Sequence, residues 1–276
     1  MRSTHGLVIV ILGLLIVGCA DRVTAPSSIV QESNAVTQET RQALAPTGTL
    51  RVALQLANPL NVVQDAAGQM TGVAFDLGRE LARRLGVPFE SVLYPAVGAL
   101  LDAGKTGAWD VAFVGFSPTR AEEWDFTGLH VEVEFGYLIP AGSALATMAD
   151  VERPGVRVVV QQGSGPDAFF TRTLTGAVLI RAASNPAALE VVRSGGADVM
   201  GSIKPVLCEL SPQLSGSRVL EGRPGIDPHA MALPKGRAPA GMAYARQFIE
   251  RAKSEGVVKA AIERARVCGV VVAPPQ

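Results

Sequence analysis

Residues 110–127 read DVAFVGFSPTRAEEWDFT. The stretch begins with a short apolar run (110–114), too apolar for an exposed element and typical of a buried parallel strand. A turn-like segment follows, and then a lone cation, Arg120. The carboxyl ends of parallel strands are where α/β proteins place their binding sites. Arg120 is therefore either a surface partner for Glu122 or Glu123, or a clamp for a ligand carboxylate.

Outward toward the N-terminus, strands and a helix alternate. LRVALQL (50–56) and FESVLY (89–94) are rich in strand-forming residues. Between them, apolar residues recur every four positions from Val73 to Leu85, which predicts a helix over 73–86. A weaker helical pattern (96–106) leads to the strand at 110–114. The order is βαβαβ.

Outward toward the C-terminus, an alternating extended segment (130–140) precedes a second series of the same kind. Its strands are predicted at 156–161, 177–181 and 197–201, and Asn185 is predicted to cap the helix that begins with Pro186. Two βαβαβ series joined by extended connections predict an α/β chain with two lobes. We assign residues 48–137 and 229–270 to lobe I and residues 138–228 to lobe II.

The N-terminal residues carry an export pattern. The apolar run at 7–17 is about half the roughly 20 residues of a membrane-spanning helix, and fits the core of a secretory signal. Ile16-Val17-Gly18-Cys19 follows and resembles a bacterial lipobox. We predict a signal peptide over 1–18, lipidation at Cys19, and a flexible linker over 19–47. The protein would then be exported to the periplasm or cell surface and held by lipid on a membrane. An ordinary signal peptide with an incidental Cys is the alternative.

Composition narrows the classes of function. The chain has 25 basic and 25 acidic side chains, so charge gives no reason to expect nucleic acid as a partner. With three His and neither a CxxC nor an HExxH motif, no metal site is expected, and no cofactor is predicted. Cys208 and Cys268 form either a disulfide or two separate buried thiols, since a spacing of 60 does not decide between them.

Several motifs occur in an order that resembles one family. They are GTLRVAL (48–54), GQMTGVAFDLGRELARRLG (68–86), GAWDVAF (107–113), SPTRAEEWDFT (117–127), VVVQQGSG (158–165) and ALPKG (232–236). Over residues 47–270 the chain resembles the family 3 solute-binding proteins of bacterial ABC importers, typified by polar amino-acid binders. The resemblance implies a type II periplasmic-binding-protein-like fold with a hinge and an inter-lobe cleft. It also implies a monomer without enzymatic activity that captures a small molecule and delivers it to an ABC permease.

The resemblance also implies a binding site. In the family, the Arg at the position of Arg120 grips a ligand carboxylate, which suits a planar guanidinium that gives two parallel charge-assisted bonds. Ser164 is expected either to contact the ligand or only to cap its own helix, Asn58 to reach the cleft or form a turn, and Phe116 to cover the ligand or pack beneath the turn. The predicted ligand-binding set is Asn58, Gly115, Phe116, Ser117, Arg120, Gly163 and Ser164.

One departure bears on the ligand. Polar amino-acid binders carry an Asp five residues after the position of Asp198, where it holds the ligand ammonium, and here that position is Ile203. An α-amino acid bound in the usual way is therefore doubtful. The sequence predicts a small carboxylate-bearing or anionic solute.

Two other classes of function stay open from the sequence. Periplasmic dehydratases resemble these binders, and Glu132, Glu134 and His229 near the predicted hinges are candidates for acid/base groups. A ligand sensor or adaptor without a transport role is the second alternative.

Overall fold

The computed structural model describes residues 36–65 and 67–276. The predicted signal peptide, Cys19 and most of the predicted linker lie outside these residues. Within the described part, no helix combines the length and the apolar character that a bilayer crossing needs.

Strands and helices alternate along the described chain. The strands are β1 (Leu50–Gln55), β2 (Val63–Gln64), β3 (Met70–Thr71), β4 (Phe89–Tyr94), β5 (Val111–Gly115), β6 (Trp124–Ile139), β7 (Arg157–Gln161), β8 (Val178–Ala182), β9 (Val199–Ile203), β10 (Arg218–Val219), β11 (Ile226–Pro234) and β12 (Val270–Val272). The helices are α1 (Gln38–Leu44), α2 (Val73–Leu85), α3 (Val97–Gly104), α4 (Pro118–Glu123), α5 (Met148–Val151), α6 (Gly165–Thr173), α7 (Asn185–Arg193), α8 (Lys204–Leu210), α9 (Pro239–Ser254) and α10 (Val257–Ala265), with a short 3-10 turn at Ser211–Gln213.

The two lobes repeat one strand pattern. In the first, β1 lies between β4 and β5 and is parallel to both. In the second, β7 lies between β8 and β9, again in parallel. Antiparallel strands β11 and β6 complete the path β4-β1-β5-β11-β6-β9-β7-β8. The predicted two-lobed α/β fold is confirmed.

Strand β6 belongs to both lobes. Up to Glu134 it pairs with β11, and from Phe135 onward it pairs with β9. The chain therefore crosses between the lobes near residues 134–135, slightly before the predicted 137/138 boundary. The exact lobe limits stay a prediction.

Helix α2 forms as the sequence predicts, whereas the predicted cap of α7 needs a correction. Val73, Leu77, Leu81 and Leu85 of α2 are all buried, and Gly86 ends the helix in the left-handed conformation with φ 69°. In α7 the predicted cap is wrong. The capping side chain is that of Ser184, which accepts a hydrogen bond from the backbone N–H of Ala187, and Asn185 is already helical.

The end of the predicted linker is ordered. Helix α1 begins after the Thr37 cap and buries Ala43 and Leu44. Arg237 donates to the Ala43 carbonyl at 2.8 Å, and Arg41 donates to the Leu85 carbonyl at 2.8 Å. Only two turns long, this helix has too few apolar positions for its period to stand out in the sequence. Residues Gln38–Leu44 of the predicted linker are therefore helical, and the bounds of the linker stay a prediction.

The question left open by the cysteines is answered by a Cys208–Cys268 disulfide. It joins α8 to the segment just before β12, and β12 pairs with the first-lobe part of β6. The bridge thus ties a second-lobe helix to a strand on the first lobe.

Opening this bridge is expected to lower stability. In a Cys208→Ser/Cys268→Ser double variant, the free energy of unfolding should fall by about 2–4 kcal/mol, because the unfolded chain regains the entropy of a long closed loop. Urea unfolding of the oxidised protein and the variant measures this difference. Equal midpoints and slopes would contradict it.

Candidate functional site

A small cavity lies where the carboxyl ends of the strands from both lobes meet. Its volume is about 40 Å³, room for about three water molecules. Gln55 ends β1, Gly115 ends β5, and Gln161 ends β7, and all three line it. The complete lining is Gln55, Asn58, Asn61, Val97, Phe113, Val114, Gly115, Arg120, Gln161, Ser164, Gly165, Pro166, Asn185, Ser202, Ile203, Val206, Asp227 and His229.

Arg120 reaches this cavity from α4. Its Nη1 donates to the Gly115 carbonyl at 2.7 Å, and its Nη2 donates to the Gly163 carbonyl at 2.9 Å. The second bond crosses from one lobe to the other. A guanidinium has five N–H donors, so these two bonds leave three for a ligand. Burial lowers the pKa of Arg120, and the charge of Asp227 opposes that shift.

The predicted turn of the second lobe, at Gly163 and Ser164, already forms hydrogen bonds with neighbouring residues of its own lobe. Gly163 donates its N–H to Asp167 Oδ2 at 2.9 Å. The Ser164 hydroxyl donates to the Gln161 carbonyl and accepts from the Asp167 N–H. Ser164 is therefore the cap of α6, as one of its two predicted roles required, while it also lines the cavity. A ligand at this turn would have to compete with Asp167 for the Gly163 N–H.

The predicted first-lobe residues divide between two spaces. Asn58 lines the small cavity and forms a turn, accepting the Leu60 N–H at 3.1 Å. Ser117 caps α4 by accepting the Arg120 N–H. Ser117, Phe116 and Gly163 line a larger groove, which shares Arg120 and the Ser164 turn with the cavity. Of the seven predicted residues, Asn58, Gly115, Arg120 and Ser164 line the cavity itself.

The sequence reasoning missed Asp227. This residue lies in β11, is 6% exposed, and lines both the cavity and the groove. A Cβ atom added to Gly115 would lie 2.8 Å from Asp227 Oδ1 and 3.2 Å from Arg120 Nη1. The carboxylate and the guanidinium thus approach the same point from two sides, yet they form no ion pair within 4.0 Å.

Asp227 also contacts His229 and the start of α6. His229 Nε2 lies 3.0 Å from Asp227 Oδ2, and both side chains are buried. A Cβ atom on Gly165, the first residue of α6, would lie 2.5 Å from Asp227 Oδ2. Glycine at 115 and 165 therefore leaves the space that the Asp227 carboxylate needs.

The buried amide side chains of Gln55 and Gln161 line the same cavity as Arg120 and Asp227. Gln55 Nε2 donates to Gln161 Oε1 at 2.9 Å, a second hydrogen bond between the lobes. The Gln161 side-chain nitrogen has no partner within the described chain, although it is buried. An unpartnered buried amide costs about 1–3 kcal/mol, which a ligand acceptor in this cavity would recover. Ile203 presents an apolar side chain to the same cavity.

The three acid/base candidates do not converge. Glu134 pairs with Lys204 at 2.6 Å and with Arg223 at 3.4 Å, and neither Glu132 nor Glu134 lines the cavity. His229 alone of the three does so. Among the described residues, no group of three or more His, Cys, Asp or Glu side chains has the arrangement of a metal site.

Comparison with known proteins gives a family and a fold. The model of the bacterial extracellular solute-binding proteins, family 3, matches residues 50–265. No curated protein sequence matches the chain. Most of the similar solved structures are binding proteins.

Three of those structures show how similar the chain is to solved binding proteins. An ancestral amino acid-binding protein, a precursor of cyclohexadienyl dehydratase, is 26% identical with a TM-score of 0.68, and the match covers 81% of this chain and 97% of that one. The solute receptor for L-cysteine of Neisseria gonorrhoeae is 22% identical with a TM-score of 0.74, covering 86% and 100%. A substrate-binding protein of an amino acid ABC transporter from Streptococcus pneumoniae, bound to L-arginine, is 21% identical with a TM-score of 0.71, covering 81% and 97%.

Proposed function

Since the chain belongs to the bacterial extracellular solute-binding proteins, family 3, we propose that it captures a carboxylate-bearing solute between its lobes and delivers it to an ABC permease. The observation that carries this proposal is the partly buried Arg120 guanidinium, which lines a cavity formed by strand ends of both lobes. A guanidinium with spare donors is suited to a carboxylate.

A second charged residue in the cavity, Asp227, narrows the class of ligand that the site can bind. Asp227 would repel a simple anion placed beside Arg120, because like charges in a buried site are unfavourable. A ligand with a carboxylate toward Arg120 and an ammonium toward Asp227 satisfies both groups. Asp227 would then supply, from β11, the ammonium partner that Ile203 cannot provide. We therefore favour a zwitterionic amino acid over the simple anion that Ile203 alone suggested.

The comparisons support this class of ligand. The ancestral protein that is 26% identical to the chain is described as amino acid-binding. Its name also links it to a dehydratase, but of the three acid/base candidates in this chain only His229 lines the cavity.

Capture would proceed by hinge closure. The chain crosses between lobes at β6 near residues 134–135, and two hydrogen bonds join the lobes at the cavity, Gln55 to Gln161 and Arg120 to the Gly163 carbonyl. A ligand favours the closed form only through contacts that are absent from the open form. The ligand carboxylate and ammonium, contacting Arg120 and Asp227, would provide them.

The cellular setting of the proposal rests on the N-terminal pattern. We propose an exported monomer anchored to a membrane through lipid on Cys19, with the described lobes free to meet the permease. Metabolic labelling with a fatty acid, compared between the full chain and Cys19→Ser, tests the anchor. Equal labelling would contradict it.

A paired titration tests the zwitterion. An amino acid that binds the protein should bind at least ten-fold tighter than the same acid without its amino group. In Asp227→Asn this preference should disappear, because the ammonium loses its counter-charge, while Asp102→Asn, an exposed control on α3, should keep it. Isothermal titration calorimetry measures both affinities. If the desamino acid binds as well as the amino acid, Asp227 has no such role; if no carboxylate binds, the proposed function itself fails.

A further inference from the structure

The larger groove beside the cavity is lined by both apolar and polar side chains. It has a volume of about 940 Å³ and lies next to the small cavity, sharing Arg120, Ser164, Gly165 and Asp227 with it. Arg120 and Asp227, the two groups proposed to bind the ligand's charges, therefore line both the small cavity and the larger groove.

The small cavity has no room for a ligand side chain in this closed arrangement. Its volume of about 40 Å³ is far below the 300–1,000 Å³ or so of typical ligand pockets. Two residues of its lining, Gln55 and Gln161, are buried and joined by a hydrogen bond of 2.9 Å. A ligand that extended between Gln55 and Gln161 would break this bond and leave two buried amides without a hydrogen-bond partner.

The groove offers large apolar side chains instead. Phe116 comes from the turn after β5, Phe169 from α6, and Ile226 from the start of β11. Phe116 is 37% exposed and Ile226 is 38% exposed. Two of the five large apolar side chains exposed in the described chain thus line this one groove. Phe135 also lines the groove, and its ring packs on that of Phe169 with centroids 4.7 Å apart.

Five charged side chains line the groove, and two of them, Asp167 and Arg181, pair with each other. Arg181 donates to Asp167 at 2.9 Å and to the Thr171 hydroxyl at 2.8 Å. Arg120 and Asp227 face each other across Gly115, as described above. The part of the groove lined by Phe116, Phe169 and Ile226 therefore suits an apolar occupant.

We propose that the groove is the side-chain subsite, and that the solute is an α-amino acid with a large apolar side chain such as an aromatic ring. This rests on the proposed function, because the head group must be held by Arg120 and Asp227 at the groove's inner end. The side chain then lies outward between Phe116, Phe169 and Ile226. Such a ligand spans both lobes and the returning strand, so its apolar burial would add to the free energy of closure.

The experiment compares two amino acids with the same head group. Isothermal titration calorimetry with L-phenylalanine and L-alanine on the full chain should show L-phenylalanine binding at least ten-fold tighter. Ile226→Ser and Phe116→Ser should each weaken L-phenylalanine at least three-fold. Leu93→Ser provides the matched control, because Leu93 is also 37% exposed but lines neither space, and it should leave both affinities unchanged.

The outcomes separate the inference from its premise. If L-alanine binds as tightly as L-phenylalanine, the subsite is overturned while the proposed function stands. If L-phenylalanine binds tighter but neither Ile226→Ser nor Phe116→Ser weakens it, the groove is not where the ring lies. If neither these amino acids nor any other carboxylate binds, the proposed function and the subsite fall together. Thermal melting of each variant shows whether a lost affinity comes from lost folding.

Discussion

Replacing Arg120 by Ala is expected to weaken the binding of an amino acid ligand by at least 100-fold. Removing one partner of a buried, hydrogen-bonded charge pair costs about 2–5 kcal/mol, and a factor of 100 corresponds to about 2.7 kcal/mol. The same change also removes the bond from Arg120 to the Gly163 carbonyl that joins the lobes. Isothermal titration calorimetry with the tightest-binding amino acid measures the loss.

Two further variants test whether the loss of affinity is specific to the Arg120 guanidinium. Arg120→Lys keeps the charge but not the planar fork, so it should recover only part of the affinity. Arg79→Ala removes an exposed arginine on α2 whose guanidinium lies over the Phe75 ring and which lines neither space. It should bind like the unchanged protein. An Arg120→Ala variant that retains wild-type affinity would show that the ligand carboxylate is held elsewhere.

Replacing Asp110 by Ala is expected to lower the free energy of unfolding by about 3–5 kcal/mol. Asp110 is fully buried just before β5 and accepts from the backbone N–H, Nε and Nη2 of Arg51 at 2.9–3.0 Å. It also accepts from Arg237 Nη2 at 2.9 Å. Its loss would leave two partly buried guanidinium groups without their shared counter-charge.

The second lobe provides the matched control for this prediction. Asp198 holds Arg157 in the corresponding place, before β9 and at the start of β7, with the same three kinds of hydrogen bond. Its side chain, however, is 36% exposed and that of Arg157 is 40% exposed. Exposed ion pairs contribute about 0–1 kcal/mol, so Asp198→Ala should cost much less. Urea unfolding of both variants tests the contrast, and equal losses would contradict the argument from burial.

The fold was predictable because it depends on local patterns. The four-residue spacing from Val73 to Leu85 predicts α2, and the apolar run at 110–114 predicts β5, since each element buries the face its sequence marks. Placing Arg120 beside a strand end in the site followed from the same logic, because the carboxyl ends of parallel strands form the cleft.

The features that could not be predicted from the sequence depend on contacts between segments that are distant along the chain. Asp227 lies in a stretch with Pro224 and Pro228 and without helical period, and only the pairing of β11 with β5 brings it beside Gly115. The Cys208–Cys268 bridge depends on how the C-terminal segment packs on α8, which spacing does not show. The predicted donors at Gly163 and Ser164 have the expected position, but Asp167 already binds the Gly163 N–H.

We propose that Arg120 and Asp227 hold the two charged ends of an amino acid between the lobes. The most direct test is a crystal structure with the tightest-binding amino acid. We predict a ligand carboxylate oxygen within about 3.2 Å of an Arg120 Nη atom and the ligand nitrogen within the same distance of an Asp227 carboxylate oxygen. A ligand bound with its carboxylate away from Arg120, or outside the cleft, would contradict the account.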